Sequence, residues 1–127
     1  MEIHESAEDY LEAILMIKER RGVVRSIDVV NELGYSKPSI SIAMKHLRES
    51  GYVLMDEEGY LSLTNKGYVI ARRVYDRHQV LTKALIALGV DEALAAADAC
   101  KVEHDLSEES FDKIRAYVLG HDKPLSQ

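Results

Sequence analysis

Only one cysteine, Cys100, occurs in the 127 residues. It excludes an intramolecular disulfide and leaves that side chain as a small buried hydrophobe, a reactive thiol or a metal ligand. No apolar run approaches the roughly eighteen residues needed to cross a bilayer, and Met1-Glu2-Ile3-His4-Glu5 lacks the basic-then-apolar order of a secretory leader. A cytoplasmic protein without membrane association is expected. Low-complexity stretches, Pro- and Ser-rich stretches and internal repeats are all missing, so disorder is expected only at the termini. The chain also lacks a Gly-rich phosphate loop, a His-Glu-x-x-His helix and a second His-rich cluster, which weakens a hydrolytic reading.

What is present fits a folded protein of one domain, or of two small domains sharing a core, with 46% apolar and 30% charged residues. A formal net charge of −6 argues against a nucleic-acid partner if charge is spread evenly. It is not spread evenly. From Lys18 to Arg48 seven basic residues face three acidic ones, leaving that segment with a net charge of about +4.

Hydrophobic spacing around Leu11, Ile14, Leu15, Met16 and Ile17 predicts a first helix from about Ser6 to Arg21, with Ser6 as N-cap and Gly22 as its stop. Ser26 as N-cap, Ile27, Val30 and Leu33 on one face and Gly34 as the stop predict a second helix of barely two turns. Ser36 then caps a third helix with Pro38 in its tolerant first turn and Ile40, Ala43, Met44 and Leu47 as its apolar stripe. Tyr52-Val53-Leu54-Met55 and Tyr60-Leu61-Ser62-Leu63-Thr64 flank the polar turn Asp56-Glu57-Glu58-Gly59, which predicts a hairpin. A long helix from Asn65 to about Leu88, an Ala-rich helix from Asp91 to about Asp105 and a last helix from Ser107 toward Gly120 complete the pattern, with a frayed tail from His121. The expected fold is mainly α: a winged helix-turn-helix with a small β-hairpin wing over residues 1–71, then a helical domain over 72–127.

A helix-turn-helix presents the early residues of its second helix to base edges in the major groove. Ser36, Lys37, Ser39, Ser41 and Ile42 are the candidates here, with Lys45 and Arg48 placed to meet phosphate and Arg25 ahead of the pair. Any small helical bundle can contain a helix-Gly-helix unit with solvated faces. The adjoining hairpin and the local positive charge weigh toward DNA.

Asp9 and Glu12 near the start, and Cys100, Glu103 and His104 near the end, are spaced three or four apart and can share a helical face. Carboxylate, imidazole and thiolate together suit a first-row transition metal. Each piece alone has a plainer reading. Asp9 and Glu12 suit an acidic first turn that offsets the helix dipole, Glu103 and His104 suit a surface pair, and His78 on the long helix suits a packed or solvated histidine.

Taken together, Glu8-Asp9-Tyr10-Leu11-Glu12, the helix-turn-helix and wing, Arg77-His78, and Asp98-Ala99-Cys100-Lys101-Val102-Glu103-His104-Asp105-Leu106-Ser107 resemble the diphtheria-toxin-repressor, or iron-dependent repressor, family. The likeness is greatest to its short manganese-sensing transport regulators and covers nearly the whole chain. It implies a homodimeric, metal-activated repressor of operator DNA with an N-terminal winged helix and a helical dimerisation domain, active in metal homeostasis. It also implies Asp9, Glu12, His78, Glu103 and His104 as ligands. Cys100 departs from the manganese branch, which has a glutamate there, and matches the Cys-x-x-Glu-His motif of the iron branch. Asp9 departs from the iron branch, which usually has methionine, and Ala96 stands where that branch has a histidine ligand. Mn²⁺ or Fe²⁺ is therefore the expected ion, with Zn²⁺, Co²⁺ or Cd²⁺ binding in vitro and no organic cofactor. The length suggests two domains without the SH3-like third domain of the longer iron regulators.

The apolar residues Leu94, Val102, Leu106, Phe111, Ile114 and Val118 are candidates for a dimer interface or for the core of the second domain. Two rival functions remain: a winged-helix regulator answering an organic ligand, and a small metallohydrolase with Glu103 as base.

Overall fold

The computed structural model describes residues 5–121. The expectations for the leader region at Met1–His4 and for the tail beyond His121 lie outside the described residues. Six helices and one hairpin follow in the order α1 (Glu5–Arg21), α2 (Ser26–Leu33), α3 (Lys37–Glu49), β1 (Val53–Met55), β2 (Leu61–Leu63), α4 (Asn65–Ala87), α5 (Glu92–Val102) and α6 (Glu108–His121). The chain divides into two compact units, Met1–Arg73 and Val74–Gln127. No helix among the described residues is long and apolar enough to cross a membrane.

In the first unit α1 buries Leu11, Ile14 and Ile17 completely or nearly so, and α3 buries Ile40, Met44 and Leu47 at one face of its helical repeat. Val24, Val29, Tyr52, Val53 and Leu61 complete this core. Each aliphatic side chain so buried contributes up to about 1.5–3 kcal/mol. Such burial is what holds α2, because eight residues are too few to stay helical unaided. Its start differs from the expected one. Arg25, not Ser26, is the N-cap residue, and the Asp28 carboxylate accepts the Arg25 N–H at 2.9 Å. The Asp28 carboxylate, at the third helical position, reaches back to the Arg25 N–H and so sets the start of the helix one residue before Ser26. Gly34 ends α2 at φ +76°, donating to Val30 at 2.8 Å.

Ser36 caps α3 as expected, accepting the Ser39 N–H at 3.2 Å. The hairpin pairs Val53 with Leu63, Leu54 with Ser62 and Met55 with Leu61. Its turn is built by Asp56, whose Oδ1 accepts from the Glu58 and Tyr60 N–H groups at 3.0 and 2.8 Å. The strand Leu61–Leu63 is also anchored at its base, where Leu61 N–H donates to Val24 at 2.8 Å and Arg25 bridges Tyr60. Gly67, in the first turn of α4, lies so close to Tyr52 that a Cβ would overlap the Tyr52 carbonyl. Glycine is required there for space.

The second unit has a smaller core. Val80 of α4 clusters with Phe111 and Val118 of α6, and Ala84 and Ile114 pack against them. Ala95 and Ala99 of α5 are fully buried. Three of the six interface candidates therefore serve the core, whereas Leu94 and Val102 stay exposed. Asp91 caps α5 through the Ala93 N–H at 3.1 Å, and the Ser107 hydroxyl accepts from Ser110 at 3.1 Å at the head of α6. The Ala-rich helix stops at Val102, three residues short of the expected end. Glu103 becomes its C-cap, and residues 103–107 form a turn.

Candidate metal centre and DNA-reading surface

In the first unit Arg20 pairs with Glu32 at 3.0 Å, Arg21 with Asp28 at 3.1 Å, Arg72 with Glu19 at 3.3 Å and Arg73 with Glu8 at 2.9 Å. Surface pairs of this kind contribute at most about 1 kcal/mol each. Their larger effect is electrostatic. They neutralise all three acidic residues of the Lys18–Arg48 segment, so α3 keeps a net positive charge from Lys37, Lys45 and Arg48 against Glu49. Among the described residues Arg25, Lys37 and Lys45 enter no ion pair.

Lys37, Ser39, Ser41, Ile42, Lys45 and Arg48 are all exposed on α3. Ile42 is 57% exposed, a wasteful place for an aliphatic side chain unless it meets an apolar surface such as a thymine methyl. Ser36 and Ser39 are partly engaged with each other, the Ser36 hydroxyl donating to Ser39 Oγ at 2.9 Å. Arg25 lies over the Tyr60 ring at 4.3 Å, and Arg48 Nη1 meets the Met55 sulfur at 3.1 Å. Both arginines thus tie the helix-turn-helix to the wing. The wing tip itself carries Asp56, Glu57 and Glu58, all exposed.

Asp9 and Glu12 lie on α1 in this same unit, Asp9 half-buried and Glu12 buried. Between them Tyr10 packs edge-on against Tyr35, with ring centroids 6.0 Å apart. Burial first, then the neighbouring Tyr35 and Asp9, pushes the Tyr10 hydroxyl above its ordinary pKa and keeps it neutral.

In the second unit the ligand atoms of His78, Cys100 and Glu103 lie within 4.8 Å of one another. His78 comes from α4, while Cys100 and Glu103, three residues apart, sit at the last turn of α5. His78 Nδ1 and Glu103 Oε1 are 2.9 Å apart. If Nδ1–H donates to the carboxylate, Nε2 keeps its lone pair as a donor to metal. Glu103 is the unusual member. It is only 1% exposed, and its Oε2 has no hydrogen-bond partner among the described residues. His104 Nε2 stands 3.9 Å from that oxygen, beyond hydrogen-bonding range. A buried carboxylate oxygen without a donor is costly, by about 1–3 kcal/mol or more for a charged group. A divalent cation offsets that cost, and imidazole, thiolate and carboxylate are a donor set suited to a transition metal. The residues present therefore fit a metal ion.

Sequence reasoning passed over Arg77 as a working residue. Its Nη1 donates to the main-chain carbonyls of Glu103 at 2.9 Å and Leu106 at 2.8 Å. Its guanidinium lies 5.0 Å from the centre of the Phe111 ring. The only hint in the sequence is an arginine beside the candidate ligand His78.

Comparison with known proteins shows the family of both halves of the chain. Residues 2–67 match the iron dependent repressor N-terminal DNA binding domain, and residues 64–122 match the iron dependent repressor metal binding and dimerisation domain. An uncharacterised HTH-type transcriptional regulator of Methanocaldococcus jannaschii is 33% identical over 116 residues, covering 90% of this chain and 93% of that protein. The HTH-type transcriptional regulator MntR of Bacillus subtilis is 35% identical over 109 residues, covering 86% of this chain and 77% of the regulator. A solved manganese-dependent transcriptional repressor in complex with manganese superposes with a TM-score of 0.81 at 27% identity, over 88% of this chain. The chain spans about half the length of that structure, 52%. With a DNA-binding half and a metal-binding, dimerisation half matched in tandem, the chain belongs to the iron-dependent repressor family of metal-responsive transcriptional regulators.

Proposed function

We propose that the protein is a homodimeric repressor that binds operator DNA when loaded with Mn²⁺ or Fe²⁺, and so controls metal-ion homeostasis in the cytoplasm. The observation that carries this reading is the buried Glu103 carboxylate, with one oxygen unpartnered, beside His78 and Cys100 in the half matched to metal binding. The manganese regulators among the relatives support Mn²⁺. The Cys100 thiolate supports Fe²⁺ and predicts tight binding of softer ions in vitro. We assign Asp9, Glu12, His78, Cys100, Glu103 and His104 to the ligand set, and Arg25, Ser36, Lys37, Ser39, Ser41, Ile42, Lys45 and Arg48 to the DNA surface. Domain limits of 1–71 and 72–127 put ligands on both sides of the boundary.

A bound cation supplies positive charge that offsets the cost of keeping a carboxylate such as that of Glu103 out of water. Metal binding then selects the arrangement of the dimer in which two recognition helices fit half-sites about one helical turn apart. A coupling of about 1–3 kcal/mol is enough for such a switch. Exposed Leu94 and Val102 on α5, with Leu119 on α6, offer apolar surface for a second copy. Neither the organic-effector nor the hydrolase reading gains support from the relatives.

The test is fluorescence anisotropy of a labelled promoter fragment at fixed salt, with metal-stripped protein titrated by Mn²⁺, by Fe²⁺ under anaerobic conditions, and by Zn²⁺. Binding that requires metal, and that needs a higher metal concentration in Asp9→Ala, is expected. Metal-independent binding by the wild type would overturn the proposal.

A further inference from the structure

We infer that Arg77 is a positioning residue for the metal ligands, setting the place of Glu103 relative to His78. The inference rests on the metal reading above and concerns how the second unit holds its donors ready. Where α5 ends at Val102, its last carbonyls lose their helical partners and need others. Arg77 supplies one donor group to two acceptors across the turn, Glu103 O at 2.9 Å and Leu106 O at 2.8 Å. Glu103 N–H still donates to Ala99 O at 2.9 Å. Both main-chain polar groups of Glu103 are therefore held, one by its own helix and one by α4.

The anchoring end of this clamp is also fixed. Arg77 precedes His78 on α4, so the same turn of helix carries a ligand and the hold on its partner ligand. The guanidinium rests against Phe111, which is buried in the core cluster of the unit. A planar fork stacked on an aromatic ring loses little freedom when it bonds, whereas a lysine presents a mobile point charge that cannot reproduce that geometry. The clamp acts just past the end of α5, so Glu103 and His104 sit on a braced turn instead of a fraying end.

Supporting groups behind metal ligands commonly govern about 10- to 100-fold in affinity. We expect Arg77→Met, which keeps an apolar stem against Phe111 and removes both hydrogen bonds, to weaken Co²⁺ binding by about that factor. Arg77→Lys should fall between it and the wild type. The experiment titrates the full-length wild type and both variants with Co²⁺, reading the thiolate charge-transfer and d–d bands, and melts each with and without metal. A merely structural arginine would lower the apo and metal-loaded melting temperatures equally and leave the dissociation constant and the spectrum unchanged. A positioning arginine shrinks the metal-induced rise in melting temperature and alters the d–d bands. If the wild type takes up no Co²⁺, the metal reading itself fails. If it binds and both folded variants bind within about threefold of it with the same bands, Arg77 has no positioning role and the metal reading stands. Should Arg77→Met fail to fold, Arg77→Lys decides alone, since wild-type affinity in that variant overturns the inference.

Discussion

The two units of this chain place their working side chains differently. The N-terminal unit keeps its DNA-facing chemistry outside: Lys37, Ser41 and Lys45 on α3 are exposed, and the core beneath them is mostly aliphatic, although the Glu12 carboxylate of α1 is buried as well. The second unit buries its chemistry, with Glu103 among its least exposed residues, and displays Leu88, Leu94, Tyr117 and Leu119 at its surface. A DNA reader needs a rigid surface that is complete before the partner arrives. A metal sensor gains from the contrary, because a site that costs stability when empty converts ligand binding into a large change of free energy. The exposed face of α3 suits a reader that is ready in advance, and the buried Glu103 suits a site that answers to metal.

Glu103→Gln gives the sharpest way to break that contrast. The substitution keeps the shape of the side chain and removes its charge. Removing a buried charge with one unpartnered oxygen, while a glutamine oxygen can still accept from His78, should leave the metal-free protein as stable as before or more so. Metal affinity should fall by at least about 100-fold, more than for a supporting residue. Thermal melts with and without Mn²⁺ or Co²⁺ read both effects, and a metal-free protein that melts markedly lower would show that Glu103 is a structural partner of His78 instead. Next in size is Gly67→Ala in the ready unit. A methyl group driven against the Tyr52 carbonyl forces a backbone shift costing about 1–3 kcal/mol. It should lower the melting temperature of the metal-free protein, and a melting temperature equal to the wild type's would show that the Tyr52 carbonyl gives way without cost.

How far the sequence reveals all this follows the same divide. The helix-turn-helix and hairpin are legible because local signals suffice: Ser36 caps α3, Gly34 ends α2 and the Asp56–Gly59 turn joins two alternating strands. The α2 cap falls at Arg25, one residue before Ser26, because the Asp28 carboxylate holds the Arg25 N–H, a contact that spacing alone does not reveal. In the second unit the residue types Cys100, Glu103 and His104 stand out in the sequence, but their setting does not. The expected helix through Asp105 ends at Val102, and the turn that follows is held by Arg77, some twenty-six residues earlier in the chain. Long-range hydrogen bonds leave no periodic trace. The same holds for Phe111, Ile114 and Val118, whose apolar spacing fits a core or an interface equally until Val80 is seen among them.

The smallest expected effect concerns the exposed face. Lys45 enters no ion pair among the described residues, so Lys45→Ala should weaken DNA binding without touching metal affinity. If it meets one phosphate, the slope of log affinity against log salt should become shallower by about 0.9. Glu57→Lys at the wing tip should act in the other direction. The exposed Asp56-Glu57-Glu58 cluster repels a phosphate backbone, so reversing one charge should raise affinity by a factor of about two or three, and only at low salt, where the Debye length of roughly 10 Å at 0.1 M lets the tip sense the duplex. Equal effects of both substitutions at high and low salt would mean that they act by distorting α3 and the wing. Opposite effects that fade together as salt rises would place the reading surface on α3 and leave the acidic wing tip off the phosphates.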